Sequence, residues 1–200
     1  LDALANIDFK TRQVKDEHRT LSIVRIGTCG GLQPYLPIGT AVMATKAIGF
    51  DGVLNFYAGR NEVSDLDFEK KFCEFVGWND LWAKPYVVDA DAELVERIGK
   101  DDFVKGYTIA ANGFYGPQGR EVRLPLAVPG LNARIEAFEY NGGHITNYEM
   151  ESSALQGLAK LMGHKALTVC SVIANRVATS VNPNYKTAVE DLVKTVLERL

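Results

Sequence analysis

Basic residues are not in excess in this chain: 22 Lys and Arg stand against 25 Asp and Glu, a formal charge of −3 over 200 residues. A sequence-independent grip on a phosphate backbone needs the opposite balance, so nucleic acid is not an expected partner. A small anion held by a few chosen Arg is still allowed. No apolar run comes near the roughly 20 residues a membrane-crossing helix requires, and the start lacks the basic, apolar and small-residue order of a signal peptide. The expectation is a cytoplasmic protein with no membrane partner. Cysteine is scarce: Cys29, Cys73 and Cys170 are an odd number with no close pair, which argues against a disulfide framework or a zinc knuckle and leaves them as reduced packing residues. His18, His144 and His164 stand in unrelated contexts without matched acids, so neither a metal site nor a Ser-His-Asp arrangement is expected, and they read as surface residues. A starting Met is also absent. Residues 1–10 have the apolar rhythm of a helix already in progress, and the chain reads as a piece of a longer one.

What is present is enough for a core: 46% of the residues are hydrophobic, and the length suits one domain better than two. Residues 21–26 read as a strand that delivers the glycine-rich run Gly27-Thr28-Cys29-Gly30-Gly31 as a sharp loop. Residues 40–48, small and β-branched after the turn signals Pro37 and Gly39, read as a second strand lying beside the first. Leu66, Phe68, Phe72, Phe75 and Val76 recur at helical spacing after Ser64 or Asp65 as N-cap, which predicts an amphipathic helix ending near Gly77. Further along, 92–98 reads as a helix, 104–111 as a strand, and 112–125 as a loop. Residues 145–150 read as a brief strand and 152–162 as a helix with Leu155, Leu158, Ala159 and Met162 on one face. A buried strand at 166–173 and an amphipathic helix at 187–200 complete the chain. Strands alternating with helices predict a layered α/β fold with the sheet covered on both faces. Some antiparallel pairing is expected, because no helix separates the strands of 21–48.

Three segments and one further Arg could carry chemistry. In Arg25-Ile26-Gly27-Thr28 a guanidinium, unshielded amides and a hydroxyl are the parts of an anion site, although a tight turn whose Arg merely pairs with a carboxylate reads as well. The loop Phe114-Tyr115-Gly116-Pro117-Gln118-Gly119-Arg120 offers a ring to stack on, an amide that donates and accepts, and a cation. A flat heterocycle with carbonyl oxygens suits it, and so does a plain surface turn with a buried Phe. In Asn147-Tyr148-Glu149-Met150-Glu151 two carboxylates two apart share a face for as long as the strand lasts. They could accept hydrogen bonds from neighbouring sugar hydroxyls, or simply complement the dipole of a following helix. Asn175-Arg176, after the last buried strand, adds a cation at the rim or a solvated loop Arg.

Together, Arg25-Ile-Gly-Thr-Cys-Gly-Gly31, Phe114-Tyr-Gly-Pro-Gln-Gly-Arg120, Asn147-Tyr-Glu-Met-Glu-Ser152 and Val172-Ile-Ala-Asn-Arg176 resemble, in kind and order, the uridine phosphorylases of the nucleoside phosphorylase family. The resemblance runs from near the start of the chain to its end. It implies a three-layer α/β/α sandwich with a mixed central sheet, and dimers that assemble further into hexamers. It also implies phosphorolysis of uridine or a related pyrimidine nucleoside, with inorganic phosphate as co-substrate and no cofactor or metal. By motif, Arg25, Gly27 and Thr28 would hold phosphate, and Gly30, Phe114, Gln118, Arg120 and Arg176 would hold the base. Glu149, Met150 and Glu151 would hold the ribose, with Arg25, Gln118, Arg120 and Glu151 carrying the reaction. Purine-cleaving relatives place an Asp after the last buried strand, where this chain has Ala174. A related nucleosidase, a purine nucleoside phosphorylase and a catalytically weak nucleoside-binding fragment are the alternative readings. The family's N-terminal part, with a Gly-Asp-Pro phosphate loop and basic residues that reach across the dimer, has no counterpart within residues 1–200. A chain of only these residues would have a half-built phosphate site and exposed strand edges.

Overall fold

A computed structural model describes residues 1–177, 180–181 and 185–200. In chain order its elements begin with α1 (Asp2–Asn6), β1 (Ile7–Asp8), β2 (Gln13–Val14), β3 (Ser22–Gly31) and β4 (Ala41–Gly49). They continue with α2 (Arg60–Val63), α3 (Leu66–Val76), β5 (Tyr86–Asp89), α4 (Ala92–Ile98), β6 (Val104–Ala110) and α5 (Leu131–Ala137). The last are β7 (Glu139–Tyr140), β8 (Gly143–Glu149), α6 (Ser152–Leu161), β9 (Lys165–Asn175), β10 (Ser180–Val181) and α7 (Lys186–Arg199). The helix expected across 1–10 stops at Asn6, where the chain turns into the β1-β2 hairpin.

The central sheet runs β10-β9-β3-β8-β6-β4-β5 and is mixed: β3 with β9, β4 with β6 and β6 with β8 are parallel, whereas β3 with β8 and β4 with β5 are antiparallel. A further antiparallel ladder joins Ala41, Val42 and Met43 to Ser171, Cys170 and Val169, so that β9, β3, β8, β6 and β4 close into a ring. Helices cover both faces. Phe68, Phe72 and Val76 of α3 and Ile135 of α5 pack on Ile48, Val87, Ile109 and Ile145, while Leu158 and Leu161 of α6 pack on Ala47, Tyr86 and Val88 of the opposite face. Leu94 and Ile98 of α4 and Leu192 and Val196 of α7 cover Met43, Leu167 and Val169.

Four sequence expectations need correction. The second strand does not lie beside the first: β3 and β4 share no ladder, and both pair with β9. The cause is the connection, because Asn175 donates to the carbonyls of Gln33 (2.9 Å) and Leu36 (2.7 Å), and Gly39 N–H to Val172 (2.8 Å), stapling the linker across the end of β9. The run Gly27–Gly31 is not a loop but the second half of β3, held by the parallel ladder to β9 with an irregularity between Cys29 and Gly30. Of the face expected on α6, Ala159 is buried and Leu158 packs half-buried, but the other fully buried residues are Ser152, Ser153, Gln156 and Gly157, and Met162 is 46% exposed. Small side chains win there because the helix lies close to its neighbours: a Cβ on Gly157 would sit 2.8 Å from Leu54. Finally, His164 is no surface residue. Its ring is buried, with Nδ1 accepting from Leu21 N–H and Nε2 3.0 Å from Asp2, an acid 162 positions away.

One edge of β3 is largely unpaired. It meets β8 only at Gly30 and Gly31, so among the described residues the rest of that edge has no strand partner. Elsewhere local signals and packing agree. Asp65 caps α3 by accepting from Phe68 N–H at 3.0 Å, and Gly77 ends it in the left-handed conformation.

Asp65 also receives Lys46 Nζ at 2.8 Å. Asp65→Ala is expected to lower the unfolding free energy in urea by about 1–2 kcal/mol, the worth of a good N-cap. Burial pushes the Asp65 carboxyl up, but the hydrogen bonds from Lys46 and from Phe68 N–H outweigh it, and the net is downward from 3.8. A depressed carboxylate stabilises above its ordinary value and loses that contribution as the pH falls through the folded one. The difference between wild type and Asp65→Ala should therefore shrink as the pH is taken below 3.8.

Candidate functional site

Arg25 stands on β3 opposite Thr168 of β9, and its guanidinium folds back over Gly27. A Cβ on Gly27 would lie 2.7 Å from Arg25 Nη1, so this glycine serves a side chain's close approach rather than a turn. Arg25 Nη1 reaches Glu149 at 3.1 Å and donates to Cys170 Sγ at 3.4 Å, and Nη2 pairs with Glu151. Both readings of Arg25 thus meet in one place: the guanidinium is paired, and it is paired with the two acids of the 147–151 segment. Thr28, half-buried, follows on the same strand opposite Ser171.

Glu149 ends β8 and is almost fully buried, its side chain 1% exposed against 57% for Glu151. The strand does not extend to Glu151, which sits at the start of α6. The two carboxylates nevertheless converge, because the bend at Met150 carries Glu151 back toward Arg25. Glu149 accepts from the N–H groups of Glu151 (3.0 Å) and Ser152 (3.0 Å) and from the Ser152 hydroxyl. A carboxylate three positions before the first residue of the helix therefore satisfies the first free N–H groups of α6 and meets the positive end of its dipole. Burial pushes the Glu149 carboxyl above the ordinary glutamate range, opposed by the Ser152 hydroxyl, the Arg25 charge and the two N–H groups. Met150 is 42% exposed at the bend between them.

A second cluster adjoins the first. The loop after β6 winds a short 3-10 turn at Gly116–Gln118 and closes on Gly119, whose left-handed conformation and contact with Asn132, 2.4 Å from a would-be Cβ, admit only glycine. This turns Gln118 inward, where it is 4% exposed. Arg120 donates to Gln118 Oε1 at 2.6 Å and to the Phe114 carbonyl, and its guanidinium lies 3.9 Å from the Phe114 ring centroid. Arg176 follows the anchored Asn175, donates to the Gln118 carbonyl and lies 5.0 Å from the Tyr148 ring centroid. Gly30, opposite both Tyr148 and Ala174, lies beside the Arg176 stem. Among the described residues neither Arg120 nor Arg176 belongs to an ion pair. Burial, and for Arg176 the charge of Arg120 as well, pushes both guanidinium values down.

With Gly27 beneath the Arg25 guanidinium, the other residues singled out in the sequence fall into two groups. One holds Arg25, Thr28, Glu149, Met150 and Glu151, and the other Gly30, Phe114, Gln118, Arg120 and Arg176. Three contributors had no role in the sequence reading. Tyr148 is buried beside Arg176 and donates to Asn132 Oδ1 at 3.0 Å, and Asn132 in turn donates to the Gln118 carbonyl at 3.0 Å. Ser152 holds Glu149. Only Ser152 had a sequence signal, a hydroxyl at a helix start. Asn132 acts across 14 positions, which spacing does not reveal. Among the described residues no group of three or more His, Cys, Asp and Glu could hold a metal, and no helix is long and apolar enough to cross a membrane.

A family model described as the phosphorylase superfamily matches residues 5–200. The chain is 30% identical over 162 residues to a uridine phosphorylase of Thermococcus kodakarensis, covering 78% of this chain and 49% of that protein. It is 28% identical over 167 residues to a uridine phosphorylase of Escherichia coli, covering 83% and 58%. The chain thus spans about half the length of the curated relatives it matches. Among solved structures, a Trypanosoma brucei nucleoside phosphorylase described as showing uridine phosphorylase activity superposes with a TM-score of 0.84 at 25% identity, over 100% of this chain and 73% of that one. A uridine phosphorylase of Phytophthora capsici shares the fold at a TM-score of 0.64 and 18% identity, over 98% and 71%.

The state of Glu149 is directly measurable. Its carboxyl carbon, followed by NMR against pH, should titrate above the ordinary value of 4.5, and Arg25→Met should move the midpoint further up by removing the facing charge. Because the folded value is raised, the contribution of Glu149 to stability is greatest below 4.5 and falls as the pH rises through the folded midpoint. An unmoved midpoint in Arg25→Met would show that the guanidinium does not govern this carboxylate.

Proposed function

We propose that this chain, which belongs to the phosphorylase superfamily, carries the site at which phosphate splits a pyrimidine nucleoside, uridine in the first instance, into free base and ribose 1-phosphate. The observation that carries this reading is the pair Arg120 and Arg176, half-buried without a carboxylate partner among the described residues and converging on Gln118. When phosphate attacks the anomeric carbon, the bond to the base nitrogen breaks and its electron pair passes to the base, where it spreads onto the ring oxygens. Two unpaired cations and an amide able to donate are suited to that charge, and they exert the most on it where water is excluded. A leaving purine instead needs a proton at a ring nitrogen. The position suited to such an acid is Ala174, which favours the pyrimidine.

On this reading Gln118, Arg120 and Arg176 hold the base against Phe114 and the Gly30 backbone. Glu151 accepts from the ribose hydroxyls over Met150, with Glu149 supporting it, and Arg25, Thr28 and the Gly27 backbone hold phosphate. Arg25 must then exchange one carboxylate for the incoming anion. Glu151 is the one that can leave, since it is exposed and Glu149 is locked to α6. Phosphate entry would in this way free Glu151 for the sugar. The reaction needs neither metal nor cofactor and makes no covalent enzyme intermediate. An assembly of dimers into a hexamer in the cytoplasm belongs to the same proposal. Exposed apolar side chains such as Phe56, 87% exposed, and Tyr57, 51% exposed, support it as surface that a second copy could cover. Hydrolysis by water is the second reading, and Arg25 beside Thr28, which suits an anion, speaks against it.

Uridine incubated with the protein should release uracil only when phosphate is present. No phosphate-dependent release sinks the proposal, and free ribose formed without phosphate would favour hydrolysis. Arg120→Ala should lower kcat by roughly 10²–10³, the usual loss for one donor at a developing negative charge, with a smaller change in KM for uridine. Glu151→Ala should tighten phosphate in the absence of nucleoside by up to about fivefold, since an exposed ion pair is worth at most about 1 kcal/mol, and should weaken uridine. Calorimetry reads both, and weaker phosphate binding would contradict the exchange.

A further inference from the structure

A cavity of about 740 Å³ lies against the loop after β6, and Arg120 but not Gln118 is among the residues that line it. Its inner wall is Phe50, Trp78 and Trp82, and its outer wall comes from the loop through Tyr115, Leu124 and Leu126. Trp78 meets Trp82 at 5.0 Å and 81°, and Phe50 meets Trp78 at 4.6 Å, so the aromatic wall forms a corner. A flat ring seated in that corner faces one indole and meets the edge of the other, the two favoured aromatic geometries. None of Arg25, Gln118, Glu149 and Glu151 lines this space.

The charge of the lining is one-sided. Arg120 and Arg123 border the cavity, and no carboxylate does among the described residues that line it. Arg120 is already engaged with Gln118 and the Phe114 carbonyl, whereas Arg123 is exposed and in no ion pair among the described residues. Apolar walls, a volume suited to a small molecule, and guanidinium groups at one side are the parts of a site for an apolar anion.

We propose that this cavity binds a small planar aromatic carboxylate, its ring in the Trp78–Trp82 corner and its carboxylate on Arg123. The site does not rest on the reading of the reaction. Arg120 alone touches both, so an occupant would press on the base group from outside.

Trp78 and Trp82 are the only tryptophans in the 200 residues, so indole emission reports on this cavity alone. The probes are 2-naphthoate and its neutral counterpart 2-naphthalenemethanol, titrated into the whole protein with and without saturating uracil. The expected result is saturable quenching by naphthoate that persists with uracil, and weaker binding of the alcohol. Arg123→Gln, an exposed position away from the base and sugar groups, should weaken naphthoate about tenfold, as loss of a charge-assisted pair does, and leave the alcohol unchanged. Absence of saturable quenching would overturn the site. So would loss of quenching with uracil, which would put the probe in the base group, and equal binding of acid and alcohol would overturn the anion assignment. A failure of uridine cleavage would touch none of these readouts.

Discussion

The site depends on one buried charge. A lone carboxylate taken out of water costs several kcal/mol, more than a small domain can lose at one position without compensation. Glu149 is compensated by the N–H groups of Glu151 and Ser152, the Ser152 hydroxyl and the Arg25 guanidinium. These partners come from the end of β8, the start of α6 and the middle of β3. The requirement to satisfy one carboxylate therefore ties three elements together, and the tie holds Arg25 and Glu151 in place.

Around that centre the charges separate. The Arg25 group has one guanidinium between two carboxylates, and the Gln118 group has two guanidinium groups and no carboxylate among the described residues. The separation follows from the strand order. Antiparallel β3 and β8 set Gly30 opposite Tyr148, and Glu149, next after Tyr148, meets Arg25 of β3. Parallel β9 brings Arg176 against Gln118 and 5.0 Å from the Tyr148 ring centroid. Gly27 leaves room for the Arg25 guanidinium, and Gly30 stands beside the Arg176 stem. The aromatic cavity behind Arg120 extends the cationic side outward.

Elements set by neighbouring residues were legible in the sequence. The helix Leu66–Val76 has its cap at Asp65, its stop at Gly77 and its apolar stripe within a dozen residues, and β6 and β9 declare themselves as apolar β-rich runs. Elements set by distant partners were misread. Glycine in Gly27–Gly31 signals a turn locally, but the ladder to β9 holds it extended. On α6 the expected Ala159 is buried and Leu158 half-buried, but the close approach of Leu54 to Gly157 buries Ser152, Ser153, Gln156 and Gly157, which periodicity did not single out. His164 looked unpaired because its acid is Asp2. The same holds in the site, where Tyr148 and Asn132 join it through contacts that no motif spacing encodes.

The sequence by itself determined the class of fold, the family and the side chains available for chemistry, because periodicity, turn residues and short motifs are local properties of the chain. Only the tertiary structure decided how those side chains are paired. It closed the sheet through β4 and β9, gave Arg25 two carboxylates and gave Arg120 and Arg176 none. Pairing of charges is decided by distance and burial, and both arise only when residues far apart in the chain are brought together by the core.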